Sequence, residues 1–377
     1  GSVPDSILKA MDLPKESVIK VSGTVKRNAQ SKKGYEVIPV SIENLNPLSA
    51  NIPFETTGKV PADLDVRLNY RYIDLRRLEA TSIFNIQSSI IRGFRDAAAR
   101  HKFTEIRPPS IVEAATEGGT DLFQIQYFEM KAYLAQSPQL YKQLCVIGGI
   151  DRVSMIVPVF RAEKHNTSYH LNESTQMDIE IGFADHKDAV KMLKAFFLSM
   201  LNSVRKSNSG DLEELGVELK ATKIKEITYK HALRKLSANG FNIEFGSDLG
   251  REHEEMLCKT VGEAVLVFGY PTSLRAFYSM PNEKDPEISN SYDLIYRGLE
   301  ISSGAQRIHE PEMLVEALRK RGLNPENFSF YIDAFRRGAP PHAGWSIGLE
   351  RLTMKISGKQ NIRECALFPR DRDRLVP

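Results

Sequence analysis

Residues 160–183 read FRAEKHNTSYHLNESTQMDIEIGF. RVSMIVPVF (152–160) leads into this stretch and QMDIEIGF (176–183) closes it, and both runs are short, apolar and rich in branched residues, as strands are. Between them lies a polar loop that carries Arg161, Glu163 and His170. Strand, loop, strand predicts an antiparallel pair. Further strands are expected in AVLVFGYP (264–271) and LIYRGLEIS (294–302). Long amphipathic helices are few. Ile83, Ile86, Ile90, Phe94 and Ala97 recur every three or four residues and predict one that ends near His101. Ala189, Leu193, Phe196 or Phe197, Met200 and Val204 predict another, starting near His186. The fold class is therefore expected to be α+β, a largely antiparallel sheet flanked by helices.

Toward the N-terminus the pattern changes. VIKVSGTVKR (18–27) alternates as a half-buried strand does, and YEVIPVSIENL (35–45) is a second extended run in which Pro39 suggests an edge or a bulge. Two or three strands cannot close a sheet, so residues 3–48 are expected to be part of a small β-domain. Residues 49–76, punctuated by Pro53, Gly58 and Pro61, read as a linker, and 77–377 as one large domain.

The 377 residues carry 51 Lys and Arg against 48 Asp and Glu, a net charge of +3 that neither demands nor excludes a nucleic-acid partner. Cys145, Cys258 and Cys365 lie far apart without metal-ligand spacing, so neither a disulfide framework nor structural zinc is indicated and a reducing, cytoplasmic setting fits. No apolar run is long enough for a membrane span. The start, Gly1-Ser2-Val3-Pro4, lacks an initiator Met and a signal-peptide profile, and native sequence is expected upstream.

Neither G-x-x-x-x-G-K-[ST] nor G-x-G-x-x-G occurs, so any nucleotide must be held by side chains. Arginine suits that task, because its planar fork meets phosphate oxygens through paired hydrogen bonds. It recurs in unusual company in FRAE (160–163) with HLNE (170–173), in EISSGAQR (300–307) and in GWSIGLER (344–351). Singly, each segment also reads as a solvated strand or helix end with an ion pair. Together, in this order, they resemble class II aminoacyl-tRNA synthetases: 160–183 resembles their motif 2, 344–351 their motif 3, and FTEIRPPSI (103–111) their motif 1, whose last proline, Pro109, sits at a homodimer interface. DVRLNYRYIDLRR (65–77), ATEGGTDLFQIQYFEMKAYLAQSPQLYKQ (115–143), SYDLIYRGLEISSGAQRIH (291–309), RRGAPPHAG (336–344) and FPRDRDRL (368–375) are similar to the archaeal and eukaryotic aspartyl-tRNA synthetases.

The resemblance implies a class II catalytic domain preceded by a partial OB-fold barrel. It also implies ATP-dependent formation of aspartyl-adenylate and transfer of the aspartyl group to tRNA(Asp). Arg161 would grip the α-phosphate and the aspartate α-carboxylate, and Arg351 the γ-phosphate. Glu163 would bond the adenine amino group, His170 would lie near the outer phosphates, and Gly348 would leave room for the nucleotide. Glu300 and Ser303 would offer Mg²⁺ hard oxygen ligands. Arg307 and Lys142 would face the side-chain carboxylate of L-aspartate, Asp178 and Gln139 its ammonium group, and Glu117 would belong to a lid over the bound amino acid. Two cations suit aspartate, because a neutral amide would leave them uncompensated in a buried site.

The sequence also departs from the family. Ser174 stands where eukaryotic members carry a phenylalanine that stacks on adenine, and Trp345 and Ser346 replace motif 3 glycines, all expected at the adenine and adenylate floor. The family's barrel has five strands and residues 15–48 match only its later part, so tRNA contacts are expected in Arg67–Arg77 and Arg370–Arg374 and in absent strands. An asparagine synthetase acting through aspartyl-adenylate, and a non-catalytic synthetase-like regulator, are the other readings.

Overall fold

The computed structural model describes residues 5–31, 34–113, 122–164 and 167–377. Gly1–Ile73 and Asp74–Pro377 form two compact units. The first contains α1 (Asp5–Met11), β1 (Val18–Arg27), β2 (Tyr35–Asn46) and α2 (Leu64–Asn69), and α3 (Arg71–Asp74) follows at the boundary. In the second come α4 (Leu78–Arg100), β3 (Thr104–Glu105), β4 (Ile111–Val112), β5 (Gln124–Tyr127), β6 (Met130–Leu134), α5 (Gln139–Ile147), β7 (Arg152–Phe160) and β8 (Glu173–Gly182). After these the chain runs through α6 (His186–Ser207), α7 (Ser209–Glu214), β9 (Ile224–Thr228), α8 (Tyr229–Ser237), α9 (Arg251–Thr260) and β10 (Ala264–Phe268). It ends with β11 (Ser291–Tyr296), β12 (Leu299–Gln306), α10 (Pro311–Lys320), α11 (Ser329–Arg336), β13 (His342–Gly348) and α12 (Leu349–Ser357).

Eight strands make the main sheet in the order β3-β7-β8-β13-β12-β11-β10-β9, antiparallel except for β3 with β7 and β9 with β10. Strand alternation divides its residues between two faces. Met177, Ile179 and Ile181 of β8 and Ala343, Trp345 and Ile347 of β13 join Ile86, Ile90 and Phe94 of α4 and Leu193, Phe196 and Phe197 of α6 in one buried cluster. Trp345 is fully buried there, edge-on to Phe94 and Phe196, and donates Nε1–H to the Ala189 carbonyl at 3.1 Å. This corrects the expectation for Trp345, whose ring is core and not adenylate floor. α6 begins at a capping box in which Asp185 accepts the Lys187 and Asp188 amides.

Two further sequence expectations change. LIYRGLEIS is no single strand: Arg297 and Gly298, both at positive φ (50° and 76°), turn it into the β11–β12 hairpin. β1 is exposed along its whole length: among the described residues its sheet is a two-stranded ribbon with β2, too small to bury the strand. Pro39 does sit at an irregularity, where the register shifts between Ser22 and Gly23.

Candidate active site

The other sheet face carries the polar alternates. Ser174, Gln176, Asp178 and Glu180 of β8 share one parity, as do Gly344, Ser346 and Gly348 of β13, and Ser346 pairs with Asp178 on one side and Ser303 on the other. Glu300 and Ser303 are an odd number of residues apart and would point opposite ways in a regular strand. A register shift between Leu294 and Ile295, where Ile295 pairs with Glu300 and Leu294 with Ser302, restores them to one face.

A cavity of about 170 Å³ opens on this face, lined by Arg161, Glu163, His170, Glu300, Ser303, Gly348 and Arg351. Every residue that sequence reasoning assigned to nucleotide or metal thus lines one space. Ser174 and Ser346 line it too, so two of the family departures do lie at the cavity wall. Arg351 donates through Nη1 to the Glu300 carbonyl at 3.2 Å, and Asn172 ties the β7–β8 loop by donating Nδ2–H to the Arg161 and Glu163 carbonyls. His170 Nε2 lies 4.0 Å from Glu163 Oε2. A Cβ on Gly348 would have its nearest neighbours in Arg351 side-chain carbons at 3.7–3.8 Å, ordinary van der Waals contact.

Several carboxyls in and beside the cavity are pushed up by burial. Burial and the neighbouring Asp293 push the Glu300 carboxyl up to about 7, against the pull of Arg351 and Arg275. Burial, then Glu300, pushes Glu254 of α9 up to about 8 while it accepts the Glu300 backbone N–H at 3.0 Å. Glu350 rises to about 7 through burial. Asp293 and Glu254 were not foreseen. Asp293 is held by both Arg275 guanidinium nitrogens, at 2.9 and 2.5 Å, and Arg275 also reaches Ser303 Oγ at 3.1 Å. Its sequence signal was its place in SYDLIYRGLEISSG, which becomes informative only once a hairpin is recognised. Among the described residues no group of three or more His, Cys, Asp and Glu side chains forms a metal cage.

Beside the cavity lies a buried ionic cluster. Lys142 Nζ is 2.8 Å from Asp178 Oδ2 and 3.5 Å from Glu180 Oε2, and Arg307 clasps Glu180 through Nε at 2.9 Å and Nη2 at 3.2 Å. Burial pushes Glu180 up, but Arg307 and then Lys142 outweigh it and hold the carboxyl below its ordinary value. Glu180 is the residue sequence reasoning missed here: both cations assigned to a substrate carboxylate already share this one. Gly344 makes space for it, since a Cβ there would fall 2.3 Å from Glu180 Oε2 and from the Ile179 carbonyl. Asp178 Oδ1 is buried and has no hydrogen-bond partner among the described residues. Gln139, at the start of α5, donates Nε2–H to Gln143 at 2.8 Å. Glu117 lies outside the described residues, and Pro109 is exposed between β3 and β4.

The sequence pattern of the tRNA synthetases class II (D, K and N) matches residues 63–372. The chain belongs to this family. Over its whole length the synthetase is 46% identical to the aspartate–tRNA(Asp) ligase of Thermoplasma volcanium, covering 88% of that protein. It is 45% identical to the aspartate–tRNA(Asp/Asn) ligase of Methanocaldococcus jannaschii, over 96% of its own length and 83% of the relative's. Its structure is similar to asparaginyl-tRNA synthetase from Pyrococcus horikoshii complexed with asparaginyl-adenylate, with a TM-score of 0.93 and 30% identity, covering 99% of this chain and 87% of that one. The aspartyl tRNA synthetase from Entamoeba histolytica follows at 0.85 and 32%, covering 96% and 79%. The α+β class II fold is that of the family, and the N-terminal antiparallel strands fit an OB-fold portion.

Proposed function

We propose that this synthetase is an aspartate–tRNA ligase that activates L-aspartate with ATP and transfers it to tRNA(Asp). The observation that carries the reading is the convergence of Lys142 and Arg307 on one buried carboxylate beside an arginine-lined cavity. With Asp178 the cluster already holds two carboxylates; the side-chain carboxylate of a dicarboxylic amino acid is a further anion for the two cations, while its ammonium group answers Asp178. The side chain of asparagine, a neutral amide, brings no charge to them.

In the first step an oxygen of the aspartate α-carboxylate attacks the α-phosphorus of ATP and the bond to pyrophosphate breaks. Arg161 neutralises charge growing on the α-phosphate and Arg351 steadies the outer phosphates, so the protein contributes position and charge, not a nucleophile. Glu163 reads the adenine amino group, His170 stands by the outer phosphates, and Gly348 gives the nucleotide access to the backbone. Asp178 Oδ1 and Gln139 receive the ammonium group, and the unpartnered state of Oδ1 supports this. In the second step the terminal ribose hydroxyl of tRNA attacks the acyl carbon and AMP leaves. Glu300 and Ser303 would hold Mg²⁺: burial and then the neighbouring Asp293 raise the Glu300 carboxyl, so a cation beside it would favour its ionised form, and few protein ligands suit an ion that keeps several waters. When bound, the ion supplies charge neutralisation to the phosphates. A Glu117 lid, a cytoplasmic location and a homodimer through the Pro109 segment complete the reading. No helix among the described residues is long and apolar enough to cross a membrane.

The test is pyrophosphate exchange into ATP with aspartate or asparagine, followed by charging of tRNA(Asp) and tRNA(Asn) transcripts. Exchange confined to aspartate and charged tRNA(Asp) are expected. Asparagine made from ammonium without tRNA, or no exchange at all, would overturn the assignment. Sedimentation at micromolar protein should give twice the mass of one chain.

A further inference from the structure

Behind the ammonium end of the proposed aspartate site runs a line of buried polar groups that touches no nucleotide position. It starts at the Pro340 carbonyl, which faces His342 Nδ1 at 2.8 Å. His342 Nε2 faces Gln143 Nε2 at 2.8 Å. Gln143 Oε1 faces Tyr331 OH at 2.8 Å and Gln139 Nε2 at 2.8 Å. Gln143, Tyr331 and His342 are all fully buried.

The direction of every bond in this line follows from its first member. A carbonyl can only accept, so the imidazole proton sits on Nδ1. The bare Nε2 can then only accept, so the end of Gln143 that meets it is the amide NH₂. Gln143 therefore turns its oxygen toward Tyr331 and Gln139, and both donate to it. Gln139, held by its own NH₂, is left with its oxygen as the acceptor for a substrate. Burial keeps His342 neutral, with Arg307 and His309 acting in the same sense and Glu180 and the Pro340 carbonyl opposing. A second proton on the ring would place two donors face to face at Gln143.

We infer that Gln143 is a positioning residue for amino-acid recognition: fixed by His342 and Tyr331, it orients the Gln139 amide so that an acceptor oxygen, not a donor, meets the α-ammonium group of the substrate. The inference rests on the aspartate reading above. It adds an element outside the sequence motifs, because Tyr331 comes from α11, a helix that carries none of the assigned site residues. A free amide beside an ammonium ion would present either end. The relay removes that ambiguity through a backbone carbonyl that cannot change polarity.

The test compares aspartate with succinate, which has both carboxylates and no ammonium group. In the full-length protein, Gln143→Met should raise KM for aspartate about tenfold or more in pyrophosphate exchange, the worth of one charge-assisted hydrogen bond. KM for ATP and the inhibition constant of succinate should stay within about twofold. Tyr331→Phe removes one of the two donors to Gln143 and should move aspartate in the same direction by a smaller factor, with succinate again unmoved. It also carries the test if Gln143→Met does not fold. Equal weakening of aspartate and succinate would reduce Gln143 to a packing role and overturn the inference, as would unchanged aspartate KM in a folded variant. Wild-type protein without aspartate-dependent exchange would instead sink the functional reading itself.

Discussion

Glu180 shows how a single residue decides what the site can hold. Its carboxylate compensates Lys142 and Arg307, and breaking a buried pair of this kind costs about 3–5 kcal/mol because a charge is left without a partner. Glu180→Gln should therefore lower the melting temperature, and saturating aspartate should restore more of the loss than it adds to wild type, since the substrate anion replaces the missing one. Differential scanning fluorimetry with and without aspartate reads both effects. Lys142→Met should lower kcat/KM for aspartate by about a hundredfold, the scale of a lost charge-assisted contact, and narrow the preference over asparagine. Glu350 makes a pH prediction. Its folded pKa of about 7 lies above the ordinary 4.5, so its contribution to stability is complete below 4.5 and is lost as pH rises through 7. Ligand-free protein should lose stability across that window by up to about 1.4 kcal/mol per pH unit from this group, and Glu350→Gln should remove that part of the slope in denaturant titrations. Lys142, Arg307 and Asp178 were legible in the sequence because their segments resemble a family. Glu180 stood in the quoted stretch all along. Nothing in a linear string says that its neighbours in space are both cations.

At the scale of elements, the alternation of QMDIEI on β8 and of GWSIG on β13 sorts apolar residues to the helices and polar ones to the site. That much is periodicity, and it was readable. The β11–β12 hairpin was not, because Arg-Gly is a weaker turn signal than Asn-Gly or Asp-Gly and the apolar run continues across it. The register shift on β11–β12 was also hidden, although it alone brings Glu300 and Ser303 to the same face. Gly344 exposes the tightness of this arrangement. Gly344→Ala would press a methyl group against Glu180 and the Ile179 carbonyl. It should destabilise the protein by about 1–3 kcal/mol and abolish aspartate-dependent exchange. Urea unfolding and the exchange assay check the two parts separately. Ser174→Phe is the converse case. A ring at this cavity position should lower KM for ATP by up to about tenfold if it stacks on adenine as in family members with phenylalanine there.

For the whole molecule, the chain divides into two compact units of unequal size. All residues assigned to ATP, aspartate and the metal belong to Asp74–Pro377, so that segment expressed alone should keep aspartate-dependent exchange within about twofold. Its kcat/KM for tRNA(Asp) should fall at least tenfold with the ribbon gone, a change that aminoacylation kinetics would show. The ribbon's two exposed faces explain why its strands were recognised and their burial was not: alternation reports a strand, whereas burial needs a second layer. Local composition and order along the chain determined, by themselves, the α+β class, the core faces of the two long helices, the arginine-bearing segments that line one cavity and the family resemblance. These depend on periodicity and on residue types at short spacing, which a sequence states directly. The tertiary structure alone decided that Trp345 is core, that Asp293 and Glu254 crowd Glu300, that one carboxylate is shared by Lys142 and Arg307, and that Pro340 sets the polarity of Gln139. Each of these is a contact between distant segments, and its sign and direction come from burial and hydrogen-bond geometry that exist only after the sheet has assembled and its helices have packed on it.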